Sequence, residues 1–314
     1  MIRKAFLFIL VSLMVNGLPF SEVMSDNALM LELNPRTIKL YVSKGIYIPP
    51  DQARRVLLEA VRSKDPETVV TVLKSLKTMY WKAKVPQNLF EIINATDAHG
   101  FSPLAYAAIY GSRDIAHLLL EYGADPNRKD NYGSTPLMHA VLNDHPDVVD
   151  LLIDYGARVN EKGGVHIKSF RVPGGSALMA AVLGGSVRCV KKLISMNANL
   201  EDEDDSGKTA LMYAAAQGYL GIVKLLVDAG SKLDHKDEFG RTALVHAIIH
   251  RHPSIVKFLL NAGANVNIQD IQHLTPLQYA FSVGDRETRM LVSYATTRSM
   301  YTFGLSKSIS PSGY

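Results

Sequence analysis

The sequence predicts an all-α solenoid of stacked helix-turn-helix units with protruding turns. Three observations lead there. From Asp97 the chain repeats itself every 33 residues, and the segments starting at Asp97 and Asp130 align in Gly, Pro, Leu, Ala, Leu-Leu and Gly-Ala without a gap. Turn, cap and helix-stop residues recur at fixed offsets in each copy. No single copy can bury its own apolar face, whereas stacked neighbours can, so the core is a continuous ribbon that needs end caps.

The elements follow in order. Residues 1–25 read as a secretory signal peptide: Met1-Ile2-Arg3-Lys4 is basic, Ala5 to Val15 is apolar but for Ser12, and Asn16, Gly17 and Pro19 end the run. That run is too short for a comfortable membrane span of about 20 residues. A cut falls near Gly17 or near Ser25, and a leader that stays on is a membrane anchor. Residues 26–50 form an N-terminal segment, and 51–96 a divergent capping repeat whose two helices lie in Val56–Leu76. An insertion over 79–90 follows, and the register resumes at Ile93.

Six units come next, at 97–129, 130–162, 171–203, 204–236, 237–269 and 270–297. The insertion 163–170 precedes the third unit, which lacks the leading Asp and the Pro. The sixth loses the Gly-Ala ending, as a terminal cap does. Residues 298–314, rich in Ser and Gly, read as a mobile tail.

Each unit carries its own local chemistry. Gly100, Gly133, Gly207 and Gly240 supply the positive φ of a tight turn. Ser102, Thr135, Thr209, Thr242 and Thr275 stand where a helix N-cap oxygen is wanted, with Pro103, Pro136 and Pro276 at the first helical position. Ala107, Ala140, Ala214, Ala247 and Ala280 let first helices approach closely. Leu118-Leu119, Leu151-Leu152, Leu225-Leu226 and Leu259-Leu260 give the second helices their apolar stripe, and Gly123, Gly156, Gly230 and Gly263 stop them.

The tandem pattern D-x-x-G-x-T-P-L-x-x-A resembles the ankyrin repeat, over roughly Asp51 to Thr297. The resemblance implies an ankyrin-repeat solenoid of about six repeats plus a divergent N-terminal cap unit. It implies a non-enzymatic protein-protein interaction module that binds a polypeptide through a concave face of turn tips and first helices. On this chain those positions include Phe101, Tyr110, Tyr132, Lys208, Phe239, Arg241, Ile249 and His250. Aromatic and Arg side chains are the usual anchors of such faces. The resemblance also gives His139 and His246 a structural hydrogen-bonding role.

Composition fits a soluble array, with 47% hydrophobic and 20% charged residues. The net charge of +4 hides an asymmetry. Arg36 to Lys84 holds 11 Lys and Arg against 4 Asp and Glu, and Glu91 onward holds 21 against 23. The basic cap is small and export removes most nucleic-acid targets, so none is expected. The expected molecule is a monomer, periplasmic or secreted, touching membrane only through its signal segment. Its one cysteine, Cys189, excludes an intrachain disulfide and stands at a core position of a second helix. The sequon at Asn94 falls where Asn127, Asn160 and Asn267 recur, so turn chemistry accounts for it.

Enzyme motifs are absent: there is no G-x-S-x-G, H-E-x-x-H, Walker A loop or G-x-G-x-x-G. No small-molecule substrate, cofactor or metal is expected. The alternative, a metal-dependent or enzymatic protein, rests on Glu201-Asp202-Glu203-Asp204-Asp205 or on the His250 region with His252. Five carboxylates suit a hard cation, but the EF-hand spacing is missing and charge runs are otherwise hydrated turns or patches for a basic partner. The two insertions are rival contact sites. The first, with Val165, Ile167 and Phe170, is either a projecting hairpin or a floppy loop. The second carries Trp81 beside two lysines and is expected to pack over the end of the stack instead of touching a membrane or acidic partner.

Overall fold

The computed structural model describes residues 47–85, 87–167 and 170–307. The signal segment 1–25 and nearly all of 26–50 lie outside them. The divergent first unit consists of α1 (Pro50–Arg62), α2 (Pro66–Lys82) and the short α3 (Gln87–Ile93). Asp65 caps α2 by accepting the Glu67 and Thr68 amides. Helix pairs follow for each unit: α4 (Pro103–Tyr110) with α5 (Arg113–Glu121), then α6 (Pro136–Leu142) with α7 (Pro146–Asp154). After the hairpin β1 (Lys162–Ile167) and β2 (Phe170–Ser176) come α8 (Ala177–Leu183) and α9 (Val187–Ser195). The stack closes with α10 (Ala210–Gln217), α11 (Leu220–Asp228), α12 (Ala243–Ile249), α13 (Pro253–Asn261), α14 (Pro276–Ser282) and α15 (Arg286–Lys307).

First helices pack on first helices in the order α1, α4, α6, α8, α10, α12, α14, and second helices form a parallel layer from α2 to α15. The core lies between the layers. The five repeat alanines are all fully buried, as are Leu119, Leu152, Leu226 and Leu259 of the second helices. Cys189 is buried in the same stripe, and burial pushes its thiol pKa up. One backbone bond links most consecutive tips: Asn131 N–H to His99 O, Asp205 to Pro173, Glu238 to Ser206 and Ile271 to Phe239, at 2.9–3.2 Å.

The caps follow the sequence in part. Ser102, Thr135 and Thr275 accept the expected amides, and Ser176 does so in the third unit. Thr209 and Thr242 have the extended N-cap backbone but make no side-chain bond, and Thr242 Oγ1 is buried without a partner. Asn94 is buried, accepting the Asp125 amide at 2.7 Å and donating to Gly123 O at 3.0 Å. Asn127 and Asn160 tie their units forward in the same way.

Over the described part of the tail 298–314 the chain is helical, as α15 continues to Lys307. The fifth unit stops its helix at Gly263, φ +98°, whereas the equivalent residue of the sixth is Thr296, which offers no left-handed exit. The sixth unit has the polar outer face of a terminal cap in part. Gln278 and Arg289 are exposed where the five other units bury Ala, Met or Val, and Phe281 is 61% exposed at the position where Ala108, Val141, Val182, Ala215 and Ile248 are fully buried. Finally, Trp81 does not pack over the end of the stack. It is 72% exposed on α2, while its neighbours Met79 and Tyr80 turn inward, Tyr80 donating to Ile48 O at 2.8 Å.

Candidate functional site

Five of the six tips are built by one carboxylate each. Asp130 Oδ1 accepts the amides of Tyr132 and Ser134 at 2.9 Å, and its Oδ2 lies 2.8 Å from His139 Nε2. Asp237 repeats this with Phe239, Arg241 and His246. Asp97, Asp204 and Asp270 do so with tyrosines, Tyr106, Tyr213 and Tyr279, whose hydroxyls donate at 2.5–2.6 Å. His139 and His246 are thus structural. The third unit has lost both members of the pair, carrying Arg171 and Ala180 instead.

Electrostatics hold three of these carboxylates, Asp97, Asp237 and Asp270, ionised. Burial works against ionisation at Asp97, Asp237 and Asp270, but hydrogen bonds from Tyr106, His246 and Tyr279 and from the turn amides outweigh it, so each pKa lies below the ordinary carboxyl value. A depressed folded-state pKa stabilises the protein fully above the unfolded value and loses that stabilisation as pH falls through the folded one. Melting temperature should be flat from neutral pH to about 5 and drop steeply below about 4. A scan that stays flat to about pH 2 would contradict the assignment.

These turns aim aromatic and basic side chains onto one face. Phe101 lies 5.5 Å from the Tyr106 ring, 5.3 Å from His139 and 6.4 Å from Tyr132. Tyr132 stacks on His166 of β1, centroids 4.3 Å apart and planes within 12°. Tyr106 lies 5.9 Å from Tyr110. The Arg62 guanidinium sits 4.7 Å over Tyr106 and the Lys64 ammonium 4.4 Å over Tyr110. One continuous strip therefore runs from Lys64 to the hairpin and includes three of the expected residues, Phe101, Tyr110 and Tyr132.

The other five stand apart, beyond the third unit. Arg241 packs over Phe239 at 5.1 Å and over Tyr279 at 5.7 Å, donating to the Tyr279 hydroxyl. Lys208 lies 5.8 Å from Tyr213. Ile249 is half-buried, and His250 is exposed, its Nδ1 bonded to His246 O. The third-unit tip between the groups carries Pro173, Gly174 and Gly175 and no aromatic side chain, and its Arg171 is bonded to Tyr132 O.

Sequence reasoning missed Arg62, Lys64, Tyr106 and His166. Tyr106 holds the position that His139 and His246 hold. It is structural and half-exposed at once, since its hydroxyl bonds Asp97 and Arg62 while its ring joins the strip. The signal was the placement of Arg62 and Lys64 at the end of a first helix, ahead of Tyr110.

The insertion 163–170 forms the hairpin of the two expected alternatives. β1 and β2 pair antiparallel with a bulge at Gly163/Gly164, and Val165 and Val172 are buried at its root. The hairpin docks on the second tip, where Ser134 Oγ donates to Gly164 O and Arg171 donates to Tyr132 O at 2.9 Å.

The acidic run is dispersed. Glu201 takes the Asn position of the repeat and accepts the Lys232 amide; Asp202 bonds Asn199; Glu203 lies 2.9 Å from His235; Asp204 builds its turn; and Asp205 is exposed. His252 bonds Ala216 O, away from His250. Among the described residues no group of three or more His, Cys, Asp or Glu is placed to hold a metal ion. No described helix is long and apolar enough to cross a membrane.

Comparison with known proteins agrees with this geometry. The sequence model of the family described as ankyrin repeats (3 copies) matches residues 34–130, 57–163, 164–237 and 222–296. No curated protein matches the chain. The crystal structure of the human ASB11 ankyrin repeat domain is similar, with a TM-score of 0.60 and 23% identity over 76% of this chain and 96% of that one. The ankyrin repeat domain of Bcl-3, a member of the IkappaB protein family, gives 0.61 and 21% over 76% and 97%. At such identities the likeness is one of fold.

Proposed function

The chain belongs to the ankyrin-repeat family, and from that premise we propose that it is an exported, non-enzymatic, monomeric binding protein that holds a polypeptide partner on its face of tips and first helices. Ankyrin repeats are generally protein-protein interaction modules. The observation that carries the reading is the aromatic and cationic strip from Lys64 through Tyr110, Tyr106, Phe101 and Tyr132 to His166. Such rings bury much area for little lost side-chain freedom, and guanidinium or ammonium groups over them add a charged rim. Phe239 and Arg241 provide a second contact point further along the same face.

Export rests on the sequence of the first 25 residues. A crosslinked pull-down of the full-length protein from its native cells, fractionated by compartment and with the mature amino terminus read by mass spectrometry, tests both parts. One enriched polypeptide and a cut near Gly17 or Ser25 are expected. Tyr110→Ala with Tyr132→Ala should weaken that capture by about tenfold or more, because truncating a central anchor removes about 2 kcal/mol or more. Their melting curve should match the parent. Capture undiminished by this pair would place the contact elsewhere.

A further inference from the structure

The outer surface of the first unit carries a feature that polypeptide binding does not use. From Thr68 to Phe90 there are four lysines, Lys74, Lys77, Lys82 and Lys84, and no carboxylate. All four are exposed, and among the described residues none is in an ion pair. Lys74, Lys77 and Trp81 are spaced by three and four residues, so they share one stripe of α2. Trp81 is 72% and Phe90 59% exposed. Lys77 lies 5.4 Å over the Tyr122 ring, and a Cβ on Gly123 would sit 3.8 Å from Phe90, so the cationic stripe and these rings form one patch.

This patch is on the second-helix layer, away from the strip described above. It has the two components of an interfacial contact: indole and phenyl rings that sit at headgroup depth, and lysines that meet anionic headgroups. We propose that the α2–α3 surface of the first unit, centred on Trp81 and Lys74, Lys77, Lys82 and Lys84, docks on an anionic phospholipid surface and presents the rest of the array away from it.

Trp81 is the only tryptophan of the chain, so its fluorescence reports this surface alone. The full-length protein should show a blue shift, and quenching by brominated acyl chains, on phosphatidylcholine vesicles doped with phosphatidylglycerol. Neither is expected on phosphatidylcholine alone. Salt near 1 M, where screening acts within about 3 Å, should reverse both. Changing the four lysines to glutamine should weaken co-sedimentation with anionic vesicles by about tenfold or more while leaving residues 1–46 and the melting curve as they are.

Unshifted emission in protein that sediments with vesicles would mean that the leader alone touches lipid, and would overturn the proposal. So would an equal shift on neutral vesicles, or a glutamine variant that binds like the parent. A shift produced by polyglutamate and by no vesicle would assign the patch to an acidic polypeptide instead. None of these outcomes bears on capture by the Tyr110 and Tyr132 face.

Discussion

Asp237→Ala destabilises the array by about 3 kcal/mol, the largest effect expected of any single side-chain truncation in a tip. Asp237 is buried and accepts from the amides of Phe239 and Arg241 at 3.0 and 2.8 Å while its second oxygen faces His246 Nε2 at 2.8 Å. Alanine leaves three polar groups without their acceptor in a site that excludes most water, and each such group costs about 1–3 kcal/mol in part or whole. Adding His246→Ala removes one orphan, so the double variant should lose less than the sum of the singles. The third unit already does without both groups, as Arg171 and Ala180 show. Urea unfolding followed by circular dichroism measures all three variants. A loss under about 1 kcal/mol for Asp237→Ala would mean that water replaces the carboxylate in the turn.

The second large effect is steric. A Cβ on Gly164 would sit 1.9 Å from Tyr132 O, and one on Gly163 would sit 1.9 Å from Gly133 O, both backbone atoms that cannot swing aside. Gly164→Ala is therefore expected to cost about 3 kcal/mol, or to lift the hairpin off the second tip and break the Tyr132–His166 stack. Amide exchange should then accelerate at Val165 and Val172, which are buried at the hairpin root. Gly221→Ala is the contrasting control. Nothing lies within 4 Å of its Cβ in the first turn of α11, and its φ is ordinary. The same added methyl there should stabilise the protein by about 0.5–1 kcal/mol. Equal outcomes at the two glycines would refute the docking described for β1.

Much of the architecture was legible because it is written several times over. The first-helix alanines and the second-helix leucines follow from one spacing seen in copies that check each other, and the family resemblance implied the structural roles of His139 and His246. What escaped was written once. The hairpin depends on Gly163 and Gly164 meeting a tip in the preceding unit, a contact that no periodicity encodes. The continuation of α15 depends on a missing glycine, and the exposure of Trp81 on which side of α2 faces the core. The candidate strip was half-legible for a related reason. Phe101, Tyr110 and Tyr132 stand at variable positions and invite attention, whereas Tyr106 is disguised by a structural duty and His166 lies in an insertion without a register.

The row of bonds between tips has a mechanical meaning. Where a backbone amide of one tip holds the carbonyl of the one before, as from Pro173 through Asp205 and Ser206 through Glu238 to Phe239 and Ile271, a tensile load along the stack is carried by short, stiff, nearly identical links. Between the second and third tips the load path runs instead through the Arg171 side chain to Tyr132 O and through a two-stranded loop. This junction separates the Lys64–Tyr132 strip from Phe239 and Arg241, so a partner that engages both groups must span a link built from side chains and a hairpin and not from the backbone bond that joins the other tips.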